Sequence, residues 1–214
     1  MNNFAKVAIA AVVVVALGAV GLSVLRPSTQ SGVGGQPDVS PSASPSPMPS
    51  TSPSASPVSP PALTETFTSE RGFSISYPSG WVTRAATDPW TTGFPDFGST
   101  AGDVIYDPVL RDHLFLMVAS QPLGGKTGAQ WVDDLLAGLT SADECTAPIQ
   151  PVTIDGTQGQ MCASGYAAVS AGDRGYAIAF YVSGDDPAAV AGFDQAYFND
   201  ILATMRLQPE DAVD

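Results

Sequence analysis

From Pro27 to Ala62 the chain offers almost nothing to bury. Ten of its nineteen prolines fall in these 36 residues, mostly in Ser-Pro, Ala-Ser-Pro and Pro-Ser steps. Too few apolar side chains are present to offset the entropy of ordering such a segment. Any folded core must therefore be built from the 152 residues between Leu63 and Asp214. Proline biases the tract toward extended polyproline II at about 3.1 Å per residue, a reach of roughly 110 Å at full stretch. Residues 27–62 read as a disordered spacer. Ser-Pro tracts can also carry O-glycans or dock proline-recognition domains, but no PxxP docking context accompanies these.

Ahead of the spacer, Val7 to Leu25 is a run of nineteen uncharged, mostly apolar residues, closed by Arg26. At a helical rise of 1.5 Å such a run spans about 28 Å, close to the hydrocarbon thickness of a bilayer. Residues 1–26 are therefore expected to be a transmembrane anchor. The alternative is a cleaved signal peptide, with Ala19-Val20-Gly21 as the cleavage site and a secreted product. A lipid anchor would need a cysteine just after the apolar run, and the two cysteines are Cys145 and Cys162. Lys6 and the α-amine on one side against Arg26 on the other give a weak positive-inside bias.

The cysteines bear on orientation too. Seventeen positions apart, without CxxC or metal-like spacing, they are best read as one disulfide, with two buried thiols as the alternative. A disulfide places residues 63–214 outside the cytoplasm. Those residues carry 20 acidic and 6 basic side chains, a formal charge of −14. Nucleic acid and anionic lipid both need a basic surface and are excluded as partners.

Period-2 alternation marks Phe73–Tyr77 as a strand, and Pro78-Ser79-Gly80 is expected to turn into a second strand near Trp81. A long loop follows over about Asp88 to Gly102. Leu114–Ala119 and Tyr176–Val182 are apolar on both faces, as strands covered on both sides should be. Val152–Ile154 and Thr157–Cys162 flank Asp155-Gly156 as a hairpin, and Tyr166–Val169 forms another with Tyr176–Val182. One helix is expected over Gly128–Leu139, opened by Thr127 and Gln130 at capping-box spacing. A second is expected to begin at Asp186-Pro187 and to bury Val190, Phe193, Tyr197, Ile201 and Met205. Together these give an α+β domain with an antiparallel sheet between helices.

The segment Gly72-Phe-Ser-Ile-Ser-Tyr77-Pro78-Ser-Gly80-Trp81 resembles the opening hairpin of PsbP-like domains. The ending Tyr197-Phe-Asn-Asp-Ile-Leu-Ala-Thr-Met-Arg-Leu207 is similar to their last helix and strand. The nearer likeness is to bacterial cell-envelope members, including mycobacterial lipoproteins of the LpqN type, from which this chain departs in lacking a lipidation cysteine. The resemblance implies an α/β/α sandwich over residues 63–214 and carries no catalytic residues.

The remaining motifs are weighed on their chemistry. Gly124-Gly125-Lys126-Thr127 stands between a strand and a helix, as a phosphate-binding loop would. Ser120 replaces the required first glycine and Pro122 removes an N–H donor, so no nucleotide is expected. No Gly-x-Ser-x-Gly is present, and His113, in Arg111-Asp112-His113, is the one histidine available to a hydrolase. Asp103, Asp107 and Asp112, and separately Asp185 and Asp186, lack the regular spacing of a calcium loop. No metal and no cofactor are expected. Trp90, Phe94 and Phe97, with Tyr106 beyond, lie in a stretch rich in Gly, Pro and Asp. Exposed, they would bind a sugar, peptide or lipid headgroup; folded back, they would cover one end of the sheet.

The reading that follows is a membrane-tethered, extracytoplasmic binding or accessory module, not an enzyme. Its candidate ligand-binding residues are Trp90, Phe94, Phe97 and Tyr106, and its partner is an envelope protein, glycan or lipid. The alternatives are an extracytoplasmic hydrolase or transferase using His113 with a carboxylate, and a scaffold or sensor for a neighbouring membrane protein.

Overall fold

A computed structural model describes residues 59–213 apart from 92, 185, 186 and 188. The expected anchor, most of the spacer, and Asp185 and Asp186 lie outside the described residues. Among the described residues no helix is long and apolar enough to cross a membrane.

Ten strands and two α-helices follow in the order β1 (Leu63–Ser69), β2 (Phe73–Pro78), β3 (Val82–Arg84), β4 (Asp103–Tyr106), β5 (Leu114–Pro122), α1 (Gly128–Ser141), β6 (Ile149–Ile154), β7 (Thr157–Cys162), β8 (Tyr166–Ala171), β9 (Arg174–Val182), α2 (Gln195–Thr204) and β10 (Arg206–Leu207). They form an α+β domain with two antiparallel sheets. The larger runs β3-β4-β5-β9-β8-β7-β6 and the smaller runs β1-β2-β10. At the centre of the large sheet, β5 and β9 pair from Leu114 opposite Val182 to Pro122 opposite Arg174.

Alternation along β5 sorts its side chains onto two faces. Leu114, Leu116 and Val118 meet the small sheet and α2 in a cluster that includes Phe73, Ile75, Ile178, Phe198 and Ile201. Ala119 on the other face meets Trp131, Val132, Leu136 and Leu139 of α1. Phe115 and Met117 on that same face meet Val104, with Phe94, Phe97 and Tyr106 packed around them. Continuous apolar runs in β5 and β9 are thus explained by cover on both sides.

The hairpin expected at Asp155-Gly156 joins β6 to β7. Both residues have positive φ, +49° and +75°, as the two-residue turn that matches strand twist requires. Thr127 caps α1 reciprocally, accepting from the Gln130 N–H at 3.3 Å while its own N–H donates to Gln130 Oε1 at 3.1 Å. Cys145 and Cys162 are bonded, with Cα atoms 5.5 Å apart, fixing the loop after α1 to the end of β7.

Two expectations are corrected. The chain after β2 does not fold back on it: β2 pairs with β1 and β10, whereas β3 pairs with β4 in the large sheet. The turn closed by the Trp81 N–H on the Pro78 carbonyl, 3.3 Å, carries the chain from one sheet to the other, and buried Trp81 fills the space between them. The second helix begins at Gln195, not at Asp186-Pro187. Gly192 has φ +88°, which no helix interior adopts, and Asp194 is the cap, accepting from the Tyr197 N–H at 3.0 Å. Val190 and Phe193 therefore precede the helix, and its buried residues are Tyr197, Phe198, Ile201 and Leu202.

Candidate functional site

Fourteen residues of α1 span about 21 Å, and the helix lies over β8 and β9. That leaves the β4–β5 side of the same face, with Phe115 and Met117, to be covered by something else. The loop between β3 and β4 does so. Three backbone-directed contacts shape it: the Arg84 guanidinium donates to the carbonyls of Phe97 and Ser99, the Trp90 indole N–H donates to the Gly93 carbonyl, and the N–H groups of Thr87 and Asp88 donate to the Thr100 carbonyl at 2.9 and 3.1 Å.

The aromatic side chains of this loop join two chains of ring contacts. Trp131 of α1 meets Trp90 edge-on at 6.0 Å, Trp90 meets Phe94 at 6.2 Å, and Phe94 meets Tyr166 of β8 at 5.4 Å. In the second chain Tyr106 meets Phe97 at 5.3 Å, Phe97 meets Phe115 at 5.1 Å, and Phe115 stacks on Tyr181 at 5.1 Å. The edge-to-face geometry of most of these pairs is the one that ring quadrupoles favour. Gln121, its amide turned so that both ends are satisfied, donates to the Trp90 carbonyl at 3.1 Å and accepts from the Trp131 indole N–H at 3.2 Å.

Two cavities open along the seams. One of about 400 Å³ lies between loop and α1, lined among others by Trp90, Phe94, Lys126, Trp131, Asp134 and Glu144. The other, about 280 Å³, lies between the two aromatic chains. Its walls are Phe94, Phe97, Phe115, Tyr166 and Tyr181, its acids are Asp96, Asp112 and Glu144, and Pro95 and Ala179 complete it. Phe94 and Glu144 border both.

The four sequence-predicted residues divide as follows. Trp90 is 6% exposed and is a packing residue as well as a cavity wall. Phe94 and Phe97 are half-buried and line the smaller cavity. Tyr106 is half-buried behind Phe97 and lines neither described cavity. Tyr166, Tyr181 and Glu144 were missed. They belong to β8, β9 and the loop after α1, and only the β5-β9-β8 pairing brings them to the loop.

The electrostatics are one-sided. Glu144 is exposed, and partial desolvation of its carboxyl raises it from the ordinary value. Burial, then the nearby Glu144 and Tyr181, pushes the Tyr166 hydroxyl up to about 12, so it is a neutral phenol at any ordinary pH.

The other candidates have local explanations. Lys126 pairs with Asp134 at 2.7 Å, and Thr127 is the helix cap. Asp103 is buried, accepting from Ser69 Oγ at 2.6 Å and the Ala86 N–H at 2.8 Å. Asp107 accepts from the N–H groups of Val109 and Leu110 at 2.7 and 3.0 Å. His113 is exposed with Nδ1 3.1 Å from Ser183 Oγ, and among the described residues no carboxylate is bonded to its ring. Among the described residues, no three His, Cys, Asp or Glu side chains converge on a point where a metal ion could sit.

No protein-family model matches the chain, and no curated protein matches it. Among solved structures it is similar to the solution structure of cyanobacterial PsbP (CyanoP) from Synechocystis sp. PCC 6803, at 11% identity, covering 74% of this chain and 99% of that one, with a TM-score of 0.42.

Proposed function

We propose that this protein is a membrane-tethered, extracytoplasmic binding module whose ligand enters the trough between the β3–β4 loop and α1, and that it performs no catalysis. The observation that carries the reading is the pair of adjoining aromatic-walled cavities, which share Phe94 and Glu144. Concave sites with apolar and aromatic walls and a few polar groups are where small ligands bind.

Two further features support it. The Cys145–Cys162 disulfide suits an oxidising compartment. The chain also enters the domain on the face away from the trough: the Tyr197 hydroxyl of α2 donates to the Pro61 carbonyl at 3.0 Å, and α2 and α1 cover opposite faces of the large sheet. The resemblance of the sequence to envelope domains of the PsbP-like kind is in keeping with that placement.

Site-specific photo-cross-linking in the native envelope tests this. A photo-reactive residue at Thr91, on the larger cavity's wall, should give a discrete adduct. The same residue at Ala203, exposed on α2, should give none. Equal adducts from both positions, or none from Thr91, would overturn the reading.

A further inference from the structure

The smaller cavity has a composition that names a ligand class. Five aromatic rings wall it and three carboxylates rim it, while no Lys, Arg or His contributes to its lining. The rings belong to two separate chains of contacts, Phe94–Tyr166 and Phe97–Phe115–Tyr181, and both chains contribute to the lining of the one cavity. Phe97 already holds a cation on one of its faces: the Arg84 guanidinium, which does not line the cavity, lies 5.3 Å from its centroid.

We infer that this aromatic box binds an organic ammonium group, of the methylated, choline-like type, with the ammonium between the two ring walls and its charge matched by Asp96, Asp112 and Glu144. This deepens the binding reading and rests on it.

The physical case is one of complementarity. A quaternary ammonium is large, weakly hydrated and without N–H donors, so it is attracted to ring faces and asks for no hydrogen-bond acceptor. The carboxylates, all three on exposed residues, supply a diffuse negative potential at the mouth. They do not converge closely enough to hold a bare metal ion. Anionic ligands are disfavoured by the same three charges, and a neutral sugar, although its hydroxyls could donate to the carboxylates, would leave their charge unmatched. At about 280 Å³ the cavity falls at the small end of ligand sites, suited to a headgroup-sized cation.

The test is calorimetric titration of the full chain, in non-ionic detergent, with tetramethylammonium, choline, phosphocholine and 3,3-dimethylbutan-1-ol, the last having choline's shape without its charge. Choline should bind at least about tenfold more tightly than the neutral isostere, the size of effect expected of a desolvated cation on ring faces. Choline tighter than phosphocholine would support a free ammonium ligand. Phosphocholine at least as tight would support the same group recognised on a headgroup.

Two variants separate the contributions. Phe97→Leu keeps an apolar wall but removes a π-face, and should weaken choline about fivefold or more while sparing the isostere. Glu144→Gln preserves shape and should weaken choline about two- to fivefold with the isostere unchanged. Equal affinity for choline and its neutral isostere would overturn the ammonium assignment while leaving a binding trough in place. No saturable binding of any of the four probes would overturn it as well, and the cross-linking from Thr91 would then decide separately whether the trough binds anything.

Discussion

Gly175 lies on β9 opposite Gln121 of β5, directly beneath α1. A Cβ built there would clash with the indole of Trp131 at Cδ2, Cε2 and Cζ2, far inside van der Waals contact. Trp131 is 4% exposed, is backed edge-on by Trp90 at 6.0 Å, and borders the larger cavity on its other side. Gly175→Ala must therefore displace Trp131, toward Trp90 or into the adjoining cavity at the loss of its present packing, or lift α1 off the sheet. Overpacking of this kind costs about 1–3 kcal/mol. Replacing glycine by alanine also lowers the entropy of the unfolded chain, which stabilises by about 0.4–1 kcal/mol. The steric effect wins, leaving a net loss of roughly 1–2 kcal/mol. For a domain of this size that lowers Tm by about 2–8 °C, measurable by thermal unfolding followed by circular dichroism. The decisive arm is the double variant. In a Trp131→Ala background the clash is gone, so Gly175→Ala should be neutral or stabilising, with an interaction energy of at least about 1 kcal/mol. Wild-type stability in Gly175→Ala, or additivity of the two changes, would refute the account of how α1 seats on the sheet.

Other consequences are open to measurement. Replacing Cys145 and Cys162 by serine opens a loop with a sequence separation of 17 and should cost about 3 kcal/mol in the chain-entropy description, read from urea unfolding; no change would mean that the bond constrains neither state. Asp194→Ala removes the cap of α2 and should cost about 1 kcal/mol, whereas an unchanged stability would argue against a helix start at Gln195. Asp103 provides a pH test, because burial raises its carboxyl above the ordinary value despite the opposing bonds from Ser69 and Ala86. The folded state then binds a proton more readily than the unfolded one, so this group's contribution to stability declines as pH rises from about 4 toward 7. Asp103→Asn abolishes that linkage, and its stability relative to wild type should improve over the same interval in paired denaturant titrations. A pH-independent or opposite difference would contradict the desolvation account.

What the sequence made legible followed the strength of the local signal. The doubly apolar runs at Leu114–Ala119 and Tyr176–Val182, the Asp155-Gly156 turn and the Thr127–Gln130 cap each have a mechanism contained within a few residues, and each is where it was expected. The β2–β3 hairpin was not, because Pro78-Ser79-Gly80 encodes a turn but not the sheet on which the next strand lands. At α2, Asp186-Pro187 and Asp194 both look like helix starts, and Gly192 was the signal that decides between them. The candidate site was half visible. Trp90, Phe94 and Phe97 stood out because aromatics are out of place in a loop rich in glycine and aspartate. Tyr166 and Tyr181 did not, since each reads as an ordinary strand aromatic until β8 and β9 are set beside β5.

The same geometry explains why a cavity forms at all. One face of the seven-stranded sheet is covered by a helix for part of its width and by an irregular loop for the rest. Helices pack against sheets along a regular apolar stripe, but a loop makes its cover from whichever side chains reach back. Here those are rings, which meet edge to face or tilted and leave gaps between chains of contact. The opposite face, closed by α2 and the small sheet, includes the continuous cluster of Phe73, Ile75, Phe198 and Ile201, each at most 1% exposed. Both faces contribute buried core, and on the proposed reading the loop-covered part of the α1 face also carries the binding surface. Substitutions among Phe73, Ile178 and Ile201 should act through unfolding. Those at Phe97 or Glu144, on the less regular face, should on the proposed reading change ligand affinity more than stability.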